Sequence, residues 1–358
     1  MSSNLAVNYL KEYSPFKEKF LDKYINEKLP EAKKLGVISE DQLKRFLEMS
    51  KEGKGIRGAL VTLGYEACGG TDKETILDTS IFMELFHAAI LIHDDVEDSS
   101  PLRRKLPTIH KQYESFGKKL SVRTEYKHYG EAMAINVGDI GYFMSYEKLI
   151  NSNFPVGLVN RALRIYSKYA IRLAHGQALD ITTLPIEHIN EEEILNILMS
   201  KSGEYTCILP LTIGATLAGV TEHKKLKAIE QYGTSLGWAF QILDDILGLF
   251  GDEAITGKPA TSDLTEGKNT LLMLHLSKNG TAKQKAFQKR VFGNPNTTLE
   301  EIEKMRQILK DAGSYDYVIN KGWKYVKEGK KYIPQITADK KYQDILESLL
   351  VFMMERIN

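Results

Sequence analysis

The chain has 358 residues, enough for one large domain or two ordinary ones. Apolar residues make up 42% of it and charged residues 27%, values that are normal for a soluble globular protein. The formal net charge of +1 excludes a global attraction to nucleic acid or to an acidic membrane surface, so any polyanion must be bound by local clusters.

We find no sequence signal for export or membrane insertion. The first twenty residues lack a basic segment followed by an apolar one. No apolar stretch approaches the roughly 20 residues of a membrane span, because acidic residues and histidines interrupt the longest candidates. The two cysteines, Cys68 and Cys207, lie far apart, which argues against a disulfide framework and suits a reducing cytosol. We predict a soluble, cytoplasmic protein that does not span a membrane.

Helical periodicity covers most of the chain, and strand-like alternation is scarce. In chain order, helices are predicted over residues 38–53, 76–95, 159–181, 226–250 and 297–313. The segments 76–95 and 226–250 are apolar on most faces, which is typical of buried helices.

Three further segments have a less regular pattern. Residues 184–220 are predicted to form two helices, the first with an acidic start after Asn190, separated by the Lys-Ser-Gly sequence at 201–203. Residues 105–128 are polar and basic, and indicate a loop or short helices. Residues 252–270 are rich in Gly, Pro and Thr, which favours a loop over a helix. We therefore predict a single all-α domain over residues 1–358, a bundle of about ten or more helices.

Acidic residues end the first buried helix. Asp94 and Asp98 lie one helical turn apart, so both carboxylates can point at one place. Carboxylates held side by side repel unless they share a proton or bind a cation, and such oxygen ligands suit Mg²⁺. The alternative is an ordinary solvated helix end, which the apolar sequence before Asp94 disfavours.

A second acidic pair lies inside the other buried helix. Asp244 and Asp245 interrupt its apolar sequence, and Gln241 precedes Asp244 by about one turn. Buried acids are costly unless they are paired or hold metal. We expect the two acid-bearing helices to face each other across a cavity and to share divalent metal ions.

Basic residues follow both acidic pairs. Arg103 and Arg104 come directly after the first, and the glycine-rich sequence EGKGIRG at 52–58 adds two more cations. Guanidinium groups bind phosphate oxygens in pairs, and lysine supplies a point charge. Any one of these residues alone is more often a surface residue. Acids that need metal and bases that need phosphate together predict a magnesium-bridged diphosphate.

The motifs resemble those of the trans-isoprenyl diphosphate synthases, the polyprenyl synthetase family. DDVED at 94–98 matches its DDxxD motif, LRRKLPTIH at 102–110 its LRRxxPTxH motif, and GKGIR at 53–57 its GGKRxRP motif. SKSGE, AHGQALDI and FQILDD follow in the family's order, which gives a motif-bearing core at about 50–275.

The resemblance implies a fold around a deep central cavity, usually as a homodimer, and a reaction in which isopentenyl diphosphate condenses with an allylic diphosphate. Asp94 and Asp98 would bind the Mg²⁺ that holds the allylic diphosphate, and Asp244 would hold another Mg²⁺. The allylic diphosphate would contact Arg103, Lys201 and Lys258, with Lys268 and Gln241 nearby. The isopentenyl diphosphate would be bound by Lys54, Arg57, His87 and Arg104. Of these, the catalytic residues would be Asp94, Asp98, Arg103, Lys201 and Asp244.

The reaction follows from charge. Metal ions and cations stabilise the departing diphosphate, so that the allylic C–O bond ionises. The carbocation is attacked by the double bond of isopentenyl diphosphate, and a proton is lost afterwards to the departed diphosphate. The cavity must exclude water, which would convert the cation into an alcohol.

Two other histidines lie in or next to the motifs. We interpret His93 as structural, packed or hydrogen-bonded within the bundle. His110, in the LRRKLPTIH match, is either structural or close to the site.

The sequence departs from the family pattern at three glycines. Gly248 replaces the third aspartate of the second DDxxD motif, so a ligand is lost or is supplied by Asp252 or Asp263. Gly55 stands where the family commonly has Arg, and Gly58 where it has Pro.

Product length in this family depends on residues below the first aspartate motif. Phe86, Ala89 and Ile90 are the candidates, with Ala89 about 7.5 Å and Phe86 about 12 Å below Asp94 along a helix axis. The small side chain of Ala89 leaves room, so we predict a C20 (geranylgeranyl) product, with C25 next and C15 after it. Ordinary core packing is the alternative role for these residues.

Two other functions fit a helical chain of this kind. A terpene cyclase on the same fold would not need the LRR and GK motifs, because it binds no isopentenyl diphosphate. A non-catalytic subunit of a heteromeric synthase would be expected to lack DDxxD, which is intact here.

Overall fold

The computed structural model describes residues 3–182, 184–251 and 262–355. Its α-helices are α1 (Ser3–Leu35), α2 (Val37–Lys51), α3 (Ile56–Ala67), α4 (Lys73–Glu97), α5 (Ile109–Leu120), α6 (Tyr126–Ile150), α7 (Val156–Ile181), α8 (Glu191–Leu198), α9 (Leu209–Leu217), α10 (His223–Phe250), α11 (Ser262–Thr265), α12 (Leu271–Asn279), α13 (Ala282–Val291), α14 (Leu299–Asp311), α15 (Ser314–Lys330), α16 (Ile333–Ile336) and α17 (Lys340–Glu355). A 3-10 turn spans Ile186–His188, and a π-helical segment spans Met199–Ile208. The strands are β1 (Leu102–Arg103) and β2 (Leu106–Pro107), which pair antiparallel. The all-α prediction is confirmed.

The chain divides into two compact units. The N-terminal unit comprises Asn8–Arg164 and Ile213–Gly219, and the C-terminal unit comprises Met1–Val7, Ile165–Thr212 and Val220–Asn358. Each unit contains one of the two acidic pairs. The single domain over residues 1–358 stays a prediction.

The core of the N-terminal unit is built around α4, which packs against α6, α3 and α2. Asp72 starts α4, because its side chain accepts a hydrogen bond of 3.1 Å from the Thr75 backbone N–H. The apolar faces of these helices bury Phe46, Leu85 and Ala89 completely. The last turn of α4, which carries the acids, thus extends from a rigid core.

Among the described residues, α4 is the one helix that is long and apolar enough to span a membrane, judged by length and composition only. The prediction that no stretch approaches that length was wrong, because a few polar residues do not offset the many large apolar ones. Yet 67% of the apolar 18-residue window in α4 is buried inside the protein. Such burial is typical of the core helix of a soluble protein.

In the C-terminal unit, α10 packs against the π-helical segment and against α15, α16 and α17. Its apolar residues Ile242, Ile246 and Leu249 join a core that includes residues of α12, α14 and α15. Asn190 caps α8 through reciprocal hydrogen bonds with Glu193, which confirms the predicted helix start. The second acidic pair therefore lies on a helix fixed by packing on several sides.

The predicted break at 201–203 was wrong. Helical structure continues from α8 through the π-helical segment into α9. The reason is close packing: a β-carbon on Gly176 of α7 would lie 2.3 Å from the Lys201 backbone nitrogen, and one on Gly237 of α10 would lie 3.1 Å from the Gly203 carbonyl oxygen. These glycines let α7 and α10 approach the backbone of residues 199–208, and the π-helical register of that segment accommodates the two helices.

The segment 105–128 contains strand β2, all of α5 and the start of α6, which matches the short-helix alternative. Its helix α5 packs against α6. Of the predicted loop at 252–270, residues 252–261 lie outside the described residues, and Ser262–Thr265 form one helical turn instead of a loop.

Candidate active site

The first acidic cluster consists of Asp94, Asp95 and Asp98 at the carboxyl end of α4. The Asp98 backbone N–H donates to the Asp94 carbonyl oxygen at 2.9 Å, which places the two residues on successive turns as predicted. Asp98 is exposed, whereas Asp95 is buried. The last turn of α4 contains no basic residue, and the partial negative charge of a helix carboxyl end adds to that of the acids. This helix end therefore attracts cations.

The β1–β2 hairpin directs Arg103 onto this cluster. Its Nε donates to Oδ1 of Asp95 at 2.8 Å, and its Nη2 donates to Oδ2 of Asp94 at 3.1 Å. Burial alone would lower the pKa of Arg103, but Asp95 and Asp94 outweigh it and raise the pKa above its usual value. Arg103 therefore stays charged beside Asp94.

Arg104 is directed away from the acids. Arg104 and Lys105 form the hairpin turn with positive φ angles of 51° and 69°. The Arg104 guanidinium reaches Glu52, with Nη1 3.3 Å from Oε2, at the start of the glycine-rich loop. The two adjacent arginines therefore contact different acids: Arg103 contacts the cluster on α4, and Arg104 contacts Glu52.

The glycine-rich loop at 52–58 leads into α3. Its Lys54 is exposed, and its Arg57 is buried to 9% exposure. The Gly58 backbone N–H donates to Oε1 of the buried Glu84 at 2.6 Å, so a carboxylate from α4 holds the first turn of α3. This contact fixes the loop against the acid-bearing helix.

His87 lies among the cations of this unit. Burial lowers its pKa well below the usual value, and the charges of Arg57, Arg104, Arg103 and Lys17 lower it further. The imidazole is therefore neutral at physiological pH. The charges of Arg57, Arg103 and Arg104, all predicted site residues, therefore act together on the His87 imidazole.

The second acidic cluster lies on α10. Asp244 is exposed, while Asp245 is buried with Oδ1 3.3 Å from Nζ of Lys268. Burial raises the pKa of Asp245 to about 7, against the opposing charge of Lys268. Burial acts to lower the pKa of Lys268, but the carboxylates Asp245, Asp263 and Asp244 raise it well above its usual value. Lys268 therefore remains a cation, and Asp244 is the accessible acid.

Asp263 occupies the space that Gly248 leaves. A β-carbon at position 248 would lie 2.2 Å from Oδ2 of Asp263 and 2.8 Å from its Cγ. Oδ2 of Asp263 also lies 3.9 Å from Nζ of Lys268. Asp263, one of the two predicted replacements for the missing aspartate, therefore lies beside α10. The other, Asp252, lies outside the described residues, as does the predicted site residue Lys258.

The π-helical segment contributes two more polar contacts in the C-terminal unit. Nζ of Lys201 donates to Oδ2 of Asp180 at 2.6 Å, and Nε2 of Gln241 donates to Oγ of Ser202 at 2.9 Å. Asp180 also raises the pKa of Lys268. Asp180 thus connects Lys201 with Lys268, and Gln241 ties α10 to the π-helical segment.

The three candidate chain-length residues differ in burial. Phe86 and Ala89 are buried, whereas Ile90 is partly exposed, like His87 and Asp94 on the same helix. A β-carbon on Gly141 of α6 would lie 2.9 Å from the Ala89 methyl group. Ala89 therefore faces α6, and its predicted role as open space stays a prediction.

The two histidines in or next to the motifs, His93 and His110, make contacts within the N-terminal unit. His93 stacks on Tyr142 with ring centroids 5.1 Å apart, and its Nε2 lies 3.3 Å from Oδ1 of Asp139, in line with a structural role. His110 is buried with Nδ1 3.1 Å from Oγ1 of Thr108, which favours its structural alternative.

Sequence reasoning missed two buried residues of α1, Lys17 and Tyr13, which contact the glycine-rich loop. Lys17 is only 1% exposed, yet it lies in the apolar stripe of α1 between Tyr13 and Leu21. A lysine within such a stripe was the available signal, because lysine is almost never fully buried without partners.

The donor set suits a magnesium ion. Within the described parts of the chain, no group of three or more His, Cys, Asp or Glu side chains is assembled into a complete metal cage. Mg²⁺ typically takes one or two carboxylates and completes its shell with water and substrate phosphate. Asp94 and Asp98 at the carboxyl end of α4, and Asp244 within α10, are carboxylates of that kind.

Comparison with known proteins agrees with these motifs. The family model for polyprenyl synthetase matches residues 41–309. A geranylgeranyl diphosphate synthase of Methanosarcina mazei is 31% identical over 305 residues, which cover 85% of this chain and 86% of that protein. A geranylfarnesyl diphosphate synthase of Aeropyrum pernix is 29% identical over 313 residues, covering 85% of this chain and 91% of that protein.

A solved structure is similar over nearly the whole chain. It is the geranylgeranyl pyrophosphate synthase of Corynebacterium glutamicum, described as complexed with isoprenyl diphosphate and magnesium. The two structures superpose with a TM-score of 0.89 at 26% sequence identity, covering 97% of this chain and 99% of the other.

Proposed function

Since the chain belongs to the polyprenyl synthetase family of prenyltransferases, we propose that it condenses isopentenyl diphosphate with an allylic diphosphate to form a short all-trans prenyl diphosphate. The observation that carries this proposal is the carboxyl end of α4. There Asp94 and Asp98 lie one turn apart, with the Arg103 guanidinium already at Asp94. A diphosphate bridged by magnesium needs acids and a guanidinium together.

The allylic diphosphate is the group that must leave. Asp94 and Asp98 would hold one Mg²⁺ and Asp244 another, and these ions would supply positive charge that stabilises the departing diphosphate. Arg103 and Lys201 each have an acidic partner, Asp94 at 3.1 Å and Asp180 at 2.6 Å. Both would add positive charge to that of the metal ions at the departing diphosphate.

Isopentenyl diphosphate would bind at the glycine-rich loop. Lys54, Arg57 and Arg104 supply cationic donors there, and neutral His87 supplies a further hydrogen bond without adding charge. Arg104 is free to turn from Glu52 to a phosphate group, because that exposed pair contributes little to stability.

The allylic carbocation must be kept from water. Ile90 lies one turn before Asp94 on α4 and would give the carbocation an apolar wall. The double bond of isopentenyl diphosphate attacks the cation, a new C–C bond forms, and the adjacent carbon loses a proton to the departed diphosphate. No side-chain base is required for this step.

We infer a C20 product, geranylgeranyl diphosphate, which the similarity to geranylgeranyl diphosphate synthases supports. Relatives named geranylfarnesyl diphosphate synthase favour C25 as the second candidate. Replacing Ile90 by phenylalanine should shift products toward C15, because the side chain lies about 6 Å below Asp94 along the helix axis. Chromatographic sizing of labelled products checks this, and an unchanged distribution would remove Ile90 from the cavity wall.

A direct assay tests the reaction. The purified protein is given Mg²⁺ and labelled isopentenyl diphosphate with dimethylallyl, geranyl or farnesyl diphosphate, and products are sized. We expect linear prenyl diphosphates that depend on both substrates. A cyclic hydrocarbon would instead indicate a cyclase, and turnover only after adding a partner chain would indicate a subunit of a heteromeric enzyme.

We further propose a cytoplasmic homodimer that does not span a membrane. One face of α6 exposes Ile135, Phe143, Tyr146 and Ile150, and Phe143 is 74% exposed. An apolar stripe of this kind suits a second copy of the chain.

Phe143→Asp should convert the dimer into a monomer, since it places a charge in the centre of that stripe. Light scattering after size exclusion gives the mass. Val37→Asp is the matched control, because Val37 is 76% exposed on α2. Equal masses for both variants and the wild type would contradict the role of α6.

A further inference from the structure

The Tyr13 side chain of α1 fills the space above two glycines of the 52–58 loop. A β-carbon on Gly58 would lie 1.9 Å from Oη of Tyr13 and 2.6 Å from its Cζ. One on Gly55 would lie 3.0 Å from the Tyr13 ring carbons Cδ1 and Cε1. The ring is 3% exposed, and its Oη is fixed 2.8 Å from Oγ of Ser80 on α4. No side chain larger than glycine fits at position 58 while Tyr13 is in place.

These two glycines are the positions at which the loop departs from the family motif. Gly55 also has a positive φ of 64°, a backbone conformation that favours glycine. One side chain from a distant helix therefore packs against both positions.

Lys17, one turn after Tyr13, holds the other side of the loop. Its Nζ donates to the carbonyl oxygens of Lys51 at 2.6 Å and Gly53 at 2.8 Å. These bonds satisfy carbonyl groups at the carboxyl end of α2 and tie them to the loop. A β-carbon on Gly55 would lie 3.2 Å from Cδ of Lys17, so the lysine stem passes directly under the loop.

The remaining contacts of the loop lead to the proposed substrate groups. Gly58 N–H binds Glu84, three residues before His87 on α4. A β-carbon on Gly53 would lie 2.9 Å from Nη2 of Arg104. The loop backbone thus sits between α1, α4 and Arg104, so a shift of α1 would displace the cations on both sides of it.

We propose that Tyr13 and Lys17 are positioning residues for isopentenyl diphosphate: they set the backbone of the 52–58 loop so that Lys54, Arg57 and Arg104 converge on its diphosphate. This inference rests on the proposed function, because it takes isopentenyl diphosphate as the ligand of the loop. Neither residue needs to touch the substrate. The allylic diphosphate, bound by the acids and Arg103, depends on them much less.

The first experiment removes the hydrogen bonds from Lys17 to the Lys51 and Gly53 carbonyl groups. Lys17→Met should raise the KM for isopentenyl diphosphate at least tenfold, with kcat and the KM for the allylic substrate changed less than about threefold. Lys17→Arg, which keeps donors for both carbonyl groups, should recover most of the loss. A variant with a lower melting temperature but an unchanged KM for isopentenyl diphosphate would overturn the proposal.

The second experiment tests the packing without turnover. Gly58→Ala should lower the melting temperature and weaken isopentenyl diphosphate binding, measured by calorimetry, whereas in a Tyr13→Ala background the same change should lower neither. Gly157→Ala is the matched control, since position 157 near the start of α7 is open and tolerates a β-carbon. Equal effects of Gly58→Ala in both backgrounds would overturn the role of Tyr13.

The two experiments separate this inference from the proposed function. A protein that shows no turnover with any allylic primer would contradict the function. The melting temperatures of Gly58→Ala in the wild-type and Tyr13→Ala backgrounds would still decide whether Tyr13 and Gly58 are coupled.

Discussion

Asp94→Ala is expected to abolish turnover, with a loss of at least about 10²–10³-fold in kcat, while the far-ultraviolet circular dichroism of the fold is retained. Asp94 is partly exposed at the end of α4, so its carboxylate can bind a metal ion without being part of the core. Removing a group that stabilises developing negative charge costs about 2.7–4 kcal/mol in similar electrostatic sites. The variant also frees Arg103 from one of its two acids.

The neighbouring acid Glu97 provides the control for this variant. It is exposed on the same helical turn but stands at a variable position of DDxxD. Glu97→Ala should keep near-normal turnover, and Asp98→Ala should behave like Asp94→Ala. Steady-state rates at saturating Mg²⁺ make the comparison. Near-normal rates for Asp94→Ala would show that this carboxylate holds no essential metal ion.

The second large effect is expected at the acid cluster of α10. We propose that Asp263 supplies the carboxylate that Gly248 lacks, because its Oδ2 lies 2.2 Å from the place of a β-carbon at 248. Asp263→Gly should lower turnover about 10–100-fold and raise the Mg²⁺ concentration needed for half-maximal rate. Such a loss corresponds to about 1.4–2.7 kcal/mol.

A swap of the two residues gives the sharper test. Gly248→Asp alone should also impair the enzyme, since its β-carbon would collide with Asp263. Gly248→Asp combined with Asp263→Gly should recover most of the rate and of the Mg²⁺ response. Asp316→Ala, an exposed acid on α15, is the control and should change neither. A double variant no better than either single variant would contradict the replacement.

The sequence was sufficient for the features that depend on local spacing. Helix α4 and the adjacent turns of Asp94 and Asp98 follow from 3.6-residue periodicity, which acts over a few residues. The start of α8 likewise follows from Asn190 and Glu193, three residues apart. In these cases the interacting groups are close in the chain, so the pattern alone determines the structure.

Features that depend on distant segments could not be predicted. The π-helical segment arises where Gly176 and Gly237 let two other helices approach its backbone. The contact between Asp263 and Gly248 joins two residues that lie far apart in the chain. Lys17 acts on a loop more than thirty residues away. Only the tertiary packing brings these groups together, because no periodicity connects them.

The account depends on magnesium joining the acids of α4 to a diphosphate. Calorimetric titration with a non-ionising allylic thiodiphosphate, with and without Mg²⁺, measures that link without any turnover. We expect binding by the wild-type protein only when Mg²⁺ is present, and a loss of that metal-dependent binding when Asp94 and Asp98 are both replaced by alanine. Equal affinity with and without Mg²⁺, or undiminished binding by the double variant, would contradict it.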